Sequence, residues 1–111
     1  MWVVFSVVSS PWSTQALDAF AFETAEAAEA YADKMEEDNP DFTYFVAEGE
    51  RGHKWLAASV MHTGFEPQLQ EWSTSRTKKE ARAWIDEQEE EESESFEDEY
   101  LVYKISLKRP A

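Results

Sequence analysis

Residues 2–9 read WVVFSVVS and residues 55–62 read WLAASVMH, and the second stretch is the first displaced by 53 positions. Trp2, Ser6 and Val7 return as Trp55, Ser59 and Val60. The same displacement, with no gap, carries Gln15 onto Gln68, Thr24 onto Thr77, Ala28 and Ala30 onto Ala81 and Ala83, and Asp33, Glu36 and Glu37 onto Asp86, Glu89 and Glu90. A self-match at a fixed period is the mark of one supersecondary unit used twice. The reading is therefore a single domain, 1–111, made of two repeats, 1–53 and 54–111. At 111 residues the chain has the length of one domain, and neither half is long enough to bury a core alone.

Both opening stretches are apolar at odd and even positions, the pattern of a central strand covered on both faces. A turn-rich segment follows in each half, SPWSTQ and TGFEP, with Pro11 and Pro67 placed in these loops. Next comes a short aromatic stretch, ALDAFAF (16–22) or QLQEW (68–72), which reads as an accessory strand folded back on the first. Thr24 and Thr77 then open two helices, and Thr77 with Glu80 has the spacing of a capping box. Ala28, Tyr31, Ala32 and Met35 stand at i, i+3, i+4 and i+7, as do Ala81, Trp84, Ile85 and Gln88, so each helix turns one stripe to a core. Asn39 and Pro40 end the first helix; the second has no stop and runs toward an acidic tract.

FTYFVA (42–47) and YLVYKISL (100–107) close the halves as strands, being rich in β-branched and aromatic residues. EGERGH (48–53) reads as a hairpin connection whose Gly49 and Gly52 tolerate positive φ. The class is α+β, a tandem pseudo-symmetric β(β)αβ repeat. Without the accessory strands the order is βαββαβ, which resembles the ferredoxin-like fold. That resemblance implies an antiparallel four-stranded sheet with two helices on one face. It carries no functional motif and transfers no activity.

Twenty-four Asp and Glu against ten Lys and Arg give a net charge of −14. A field of that sign repels phosphates, which argues against direct nucleic-acid binding and against anionic membrane surfaces and permits a basic protein partner. The halves differ: 11 acidic and 2 basic residues lie in 1–53, against 13 and 8 in 54–111. No cysteine is present, which removes disulfides, thiolate metal sites and thiol nucleophiles and fits a cytoplasmic protein. The N-terminal apolar run is too short for a signal peptide, and no stretch has the roughly 20 apolar residues of a membrane helix.

No cofactor, metal or catalytic constellation stands out, and an enzyme is not the expectation. With Gly49, Gly52 and Gly64 as the chain's three glycines, no phosphate loop or dinucleotide fingerprint can be assembled. His53 and His62 match no metal spacing and read as a solvated loop residue and a strand-end residue. The tract 86–99, DEQEEEESESFEDE, holds ten acidic residues of fourteen but lacks the alternating ligands and glycine of a calcium loop. It reads as a solvated helix end or flexible segment, because pairs such as Glu87 with Glu91 and Glu90 with Glu94 repel, or else as a surface for a basic site.

Glu26, Glu29, Asp33, Glu36 and Glu37 make an acidic stripe on the first helix. If both helices lie on one face of a sheet, this stripe joins Glu87, Glu90, Glu91 and Glu94 in one negative surface. Carboxylates in rows on rigid elements imitate phosphates and fit the basic groove of a nucleic-acid-binding protein. Short, acidic, cysteine-free chains of this kind resemble small phage inhibitors of host defence systems. The expected function is thus an acidic protein–protein interaction module, an inhibitor acting as a DNA mimic. The alternative is a small-ligand or regulatory dimerisation module, monomer or homodimer, using Trp12, Phe65 and Trp72 as anchors. Trp2, Trp55 and Trp84 read as core. Solubility alone also accounts for a charged surface, and an open sheet face for exposed aromatics.

Overall fold

The structure is a computed structural model that describes residues 1–9, 14–62, 67–91 and 98–106. The elements run β1 (Trp2–Ser9), β2 (Thr14–Phe22), α1 (Ala25–Asp38), β3 (Phe42–Glu48), β4 (Trp55–His62), β5 (Pro67–Ser75), α2 (Lys78–Glu91) and β6 (Asp98–Lys104). They form two antiparallel three-stranded sheets, ordered β2-β1-β3 and β5-β4-β6. The segments expected as accessory strands are full nine-residue strands, and Pro67 opens β5 rather than lying in a loop. A first strand position suits proline, whose missing N–H costs the ladder least there.

Under the 53-residue displacement the β1–β2 and β4–β5 pairings share one register, while β6 pairs with β4 three residues further on. Trp2 faces Phe22 on β2 and Glu48 on β3; Trp55 faces Ser75 on β5 and Lys104 on β6. A bulge interrupts β1–β2 between Phe5 and Val7, and β4–β5 between Ser59 and Val60. The Ser6 hydroxyl receives the Asp18 N–H at 3.2 Å in the first bulge, whereas the buried Ser59 hydroxyl has no hydrogen-bond partner among the described residues.

A single four-stranded ferredoxin-like sheet is not what these pairings give. Both edges of β1 are taken by β2 and β3, and both edges of β4 by β5 and β6, so the halves meet by their faces. Strand alternation then sorts the side chains. Val3, Phe5 and Val7 point inward to meet Leu56, Ala58 and Val60, with Leu101, Tyr103 and Ile105 completing the cluster. Phe5 is fully buried against Phe45 and Tyr103, ring centroids 5.4 and 5.3 Å away, and the Tyr103 hydroxyl donates to the Ser6 carbonyl at 2.9 Å. On the opposite face of the first sheet, Val4 and Phe22 pack with Ala28 and Ala32 of α1. On the opposite face of the second, Ala57 packs with Ala81 and Ile85 of α2. The layers are helix, sheet, sheet, helix.

Trp2 packs in the α1 cluster and Trp55 and Trp84 in the α2 cluster, as expected of core residues. Both helices start as the sequence indicates. The Thr24 hydroxyl accepts the Ala27 N–H at 3.2 Å, and the Thr77 hydroxyl accepts the Glu80 N–H at 3.2 Å. The Glu80 carboxylate, however, takes the Thr77 hydroxyl itself at 3.3 Å. Asn39 closes α1, its N–H and side-chain amide both reaching the Met35 carbonyl.

Segment 48–54 corrects another expectation. Because β3 and β4 belong to different sheets, it is a crossover and not a hairpin. Gly52 does adopt positive φ, 91°. Gly49 does not; a Cβ there would lie 2.8 Å from Thr74 Cγ2, so close approach is what demands glycine.

Candidate interaction surfaces

On α1 the burial of Ala28 and Ala32 fixes which side faces water. Glu26, Glu29, Asp33, Glu36 and Glu37 are all exposed on that side, with Lys34 the one basic residue of the helix. Spacings of three and four residues place these carboxylates in a stripe. Among the described residues none of the five is in a salt bridge. From Glu26 to Glu37 the helix advances about 16 Å at 1.5 Å per residue, or about one charge per 4 Å. One DNA strand carries a phosphate every roughly 3.4 Å of axis.

Tyr44 on the neighbouring strand responds mainly to its burial, and Glu36 is the one member of the stripe that acts on it. Partial burial pushes its phenol above the usual value; Asp18, Asp38 and Glu36 push it further, against the lowering effect of a hydrogen bond from Asn39. Only Glu26 sits where the helix dipole favours an anion. Glu36, Glu37 and Asp38 crowd the C-terminal end, where the last turn has no basic residue and the dipole opposes negative charge.

The single negative surface expected from both helices is not assembled. Since α1 and α2 cover the outer faces of different sheets, their stripes point away from each other. Glu87 and Glu90 are exposed on α2, Glu91 is its last residue, and Glu94 lies outside the described residues. The N-terminal half of α2 instead exposes Lys78, Lys79 and Arg82. Lys79 and Arg82 stand at the positions of Glu26 and Glu29 in α1. Lys78 also lies over the Trp55 ring, 5.7 Å from its centroid.

Trp12 and Phe65 lie outside the described residues. Trp72 is 41% exposed on β5, and its indole N–H donates to the Glu48 carbonyl at 2.9 Å. It is therefore an oriented ring on the surface, beside the crossover.

That crossover was not marked as a site by the sequence, although Arg51, His53 and Lys54 so close together in an acidic chain are its signal. His53 is not solvated: its side chain is 15% exposed, Nδ1 shares a 2.7 Å hydrogen bond with the Thr74 hydroxyl, and Nε2 lies 3.3 Å from the Glu50 carboxylate. Thr74 also receives the Glu50 N–H at 3.2 Å. The imidazole stands between two hollows. One, about 410 Å³, is lined by Glu48, Glu50, Trp72 and Thr74. The other, about 360 Å³, is lined by Met1, Ala21, Phe22 and Glu23 on one side and Arg51 to Lys54 on the other.

No group of three or more metal-ligating side chains occurs among the described residues, and no helix among them is long and apolar enough to cross a membrane. Comparison with known proteins finds no matching family model, no matching curated protein and no matching solved structure.

Proposed function

We propose that this chain is a non-enzymatic protein–protein interaction module that offers the outer face of α1 to a basic, nucleic-acid-binding partner, as an inhibitor of phage or mobile-element type acting by charge mimicry. The observation that carries the reading is the stripe Glu26, Glu29, Asp33, Glu36 and Glu37: exposed, not ion-paired among the described residues, and held on a capped helix packed through Ala28 and Ala32. Its charge spacing approaches that of a DNA strand. Its C-terminal members oppose the helix dipole, so helix stability does not explain them.

The footprint is smaller than the sequence suggested. A basic groove engaging α1 does not at the same time engage Glu87 and Glu90, which face the other way. We also infer that residues 1–53 and 54–111 are copies of one β(β)αβ unit, a reading supported by the shared register and shared bulge position.

The test is capture of a partner on immobilised protein at low and high salt, with elution by duplex DNA. A partner released by salt and by DNA, and not captured by the Glu29→Lys/Asp33→Lys variant, supports the proposal. Capture indifferent to salt, DNA and charge reversal overturns it. The small-ligand alternative is favoured by a different observation, the cleft beside residues 51–54.

A further inference from the structure

We infer that the cleft between the β1–β2 end and residues 51–54 binds a small organic anion: a carboxylate or phosphate headgroup carried on an apolar, ring-sized body.

Charge placement is the first ground. The chain carries −14, and residues 1–53 hold two basic side chains, Lys34 and Arg51. Yet Arg51, His53 and Lys54 all line one hollow, where Glu23 is the one acidic residue among the described lining residues. Among the described residues neither Arg51 nor Lys54 is in a salt bridge, despite 24 acidic residues in the chain. A guanidinium and an ammonium left in this state are complementary to a carboxylate or phosphate, which the guanidinium can hold through two parallel N–H donors.

The second ground is preorganisation. The segment is pinned on both sides: Gly49 N–H to the Met1 carbonyl at 2.9 Å, His53 N–H to Glu50 at 3.1 Å, Lys54 N–H to Ser75 at 2.9 Å, and Ile105 N–H to the Lys54 carbonyl at 2.7 Å. The His53–Thr74 bond adds a side-chain clasp. A backbone fixed before binding costs less ordering entropy when a ligand arrives.

The third is shape. The surface of the hollow is more apolar than polar, with Met1, Ala21 and Phe22 among the residues of its wall, and about 360 Å³ falls in the range of small-ligand sites. The hollow on the other side of His53 is lined by Glu48 and Glu50 and has the opposite charge. The inference does not depend on the α1 face.

The experiment is titration of the 15N-labelled chain with benzoate, phenyl phosphate, inorganic phosphate and benzyl alcohol, following backbone amide shifts. Benzoate or phenyl phosphate should shift Glu23, Gly52, His53 and Lys54 saturably, and the tighter of the two identifies the headgroup. Inorganic phosphate should bind several-fold more weakly, and benzyl alcohol should leave these amides unmoved. The Arg51→Gln/Lys54→Gln variant, altered at two exposed positions, should lose at least tenfold in affinity while its remaining spectrum is unchanged. Should that pair perturb the fold, Arg51→Lys alone should weaken phenyl phosphate several-fold. Shifts that do not saturate, that spread over the whole surface, or that survive in the variants overturn the inference. Inorganic phosphate binding as tightly as phenyl phosphate overturns the apolar-wall part of it.

Discussion

The outer faces of α1 and α2 are built on the same packing and carry different charge. Ala28 and Ala81 are both buried, as are Ala32 and Ile85, and each helix starts from a threonine whose hydroxyl takes an N–H three residues on. On the water side, Asp33, Glu36 and Glu37 keep acidic counterparts in Asp86, Glu89 and Glu90. Glu26 and Glu29, however, stand where α2 has Lys79 and Arg82. Positions that touch a sheet are constrained by volume; those facing water are free to differ, and there the two ends of the molecule acquire distinct electrostatics. A partner that reads charge would distinguish them.

The same division holds at the two seams between the sheets. Where β2 meets the segment after β6, main chain bonds main chain: Ala21 N–H to Ser106 at 3.0 Å and Ser106 N–H to Ala19 at 2.9 Å. The matching positions on the other seam are Thr74 and Glu50, joined through the threonine hydroxyl, with Trp72 reaching Glu48. One seam is closed by backbone and the other by side chains; His53 and the hollow lined by Glu48, Glu50 and Trp72 lie at the second, while the other hollow reaches Ala21 of the first.

The heaviest blow to this correspondence falls in the shared core. Phe5→Ala, at a fully buried position whose counterpart is already Ala58, should cost about 3–5 kcal/mol in urea unfolding. Gly49→Ala should follow at about 1–3 kcal/mol, since the new Cβ displaces Thr74 and with it the bonds to Glu50 and His53. Amide shifts confined to the side-chain seam would check that cause.

Tyr103→Phe should cost about 1 kcal/mol at neutral pH through the lost hydrogen bond to Ser6. It should also change the pH dependence. Burial pushes the Tyr103 phenol well above its ordinary value of 10.0, so the unfolded chain ionises first. Stability is held below pH 10 and falls as pH rises beyond it, and the phenylalanine variant should show a shallower alkaline loss.

The smallest effects compare the helices directly. Lys79→Glu should stabilise by about 0.3–1 kcal/mol at low salt by placing a carboxylate in the first turn of α2. Glu26→Lys should destabilise α1 by a similar amount. Both differences should shrink in 1 M salt, read as shifts in Tm.

Much of the fold was legible because it is local. Trp2–Ser9 and Trp55–His62 are strands over the ranges their apolar runs mark, and Thr24, Thr77 and Asn39 bound the helices through contacts three or four residues away. The stripe on α1 was legible for the same reason, since helical period and the alanine face fix which carboxylates meet water. His53 was not, because its partner Thr74 is 21 residues distant and nothing in the residue itself reveals a clasp.

The sequence by itself determined the strands, helices, caps, net charge and the acidic face of α1, all consequences of periodicity and side-chain chemistry acting over a few residues. Tertiary structure decided that β2 and β5 occupy the free edges of β1 and β4. With those edges filled, the two halves join chiefly through the apolar faces of their sheets, with hydrogen bonds along the two seams. That one pairing choice put the two helices on opposite sides, divided the expected acidic surface in two, and brought Arg51 and Lys54 to the hollow that Ala21 and Phe22 also line.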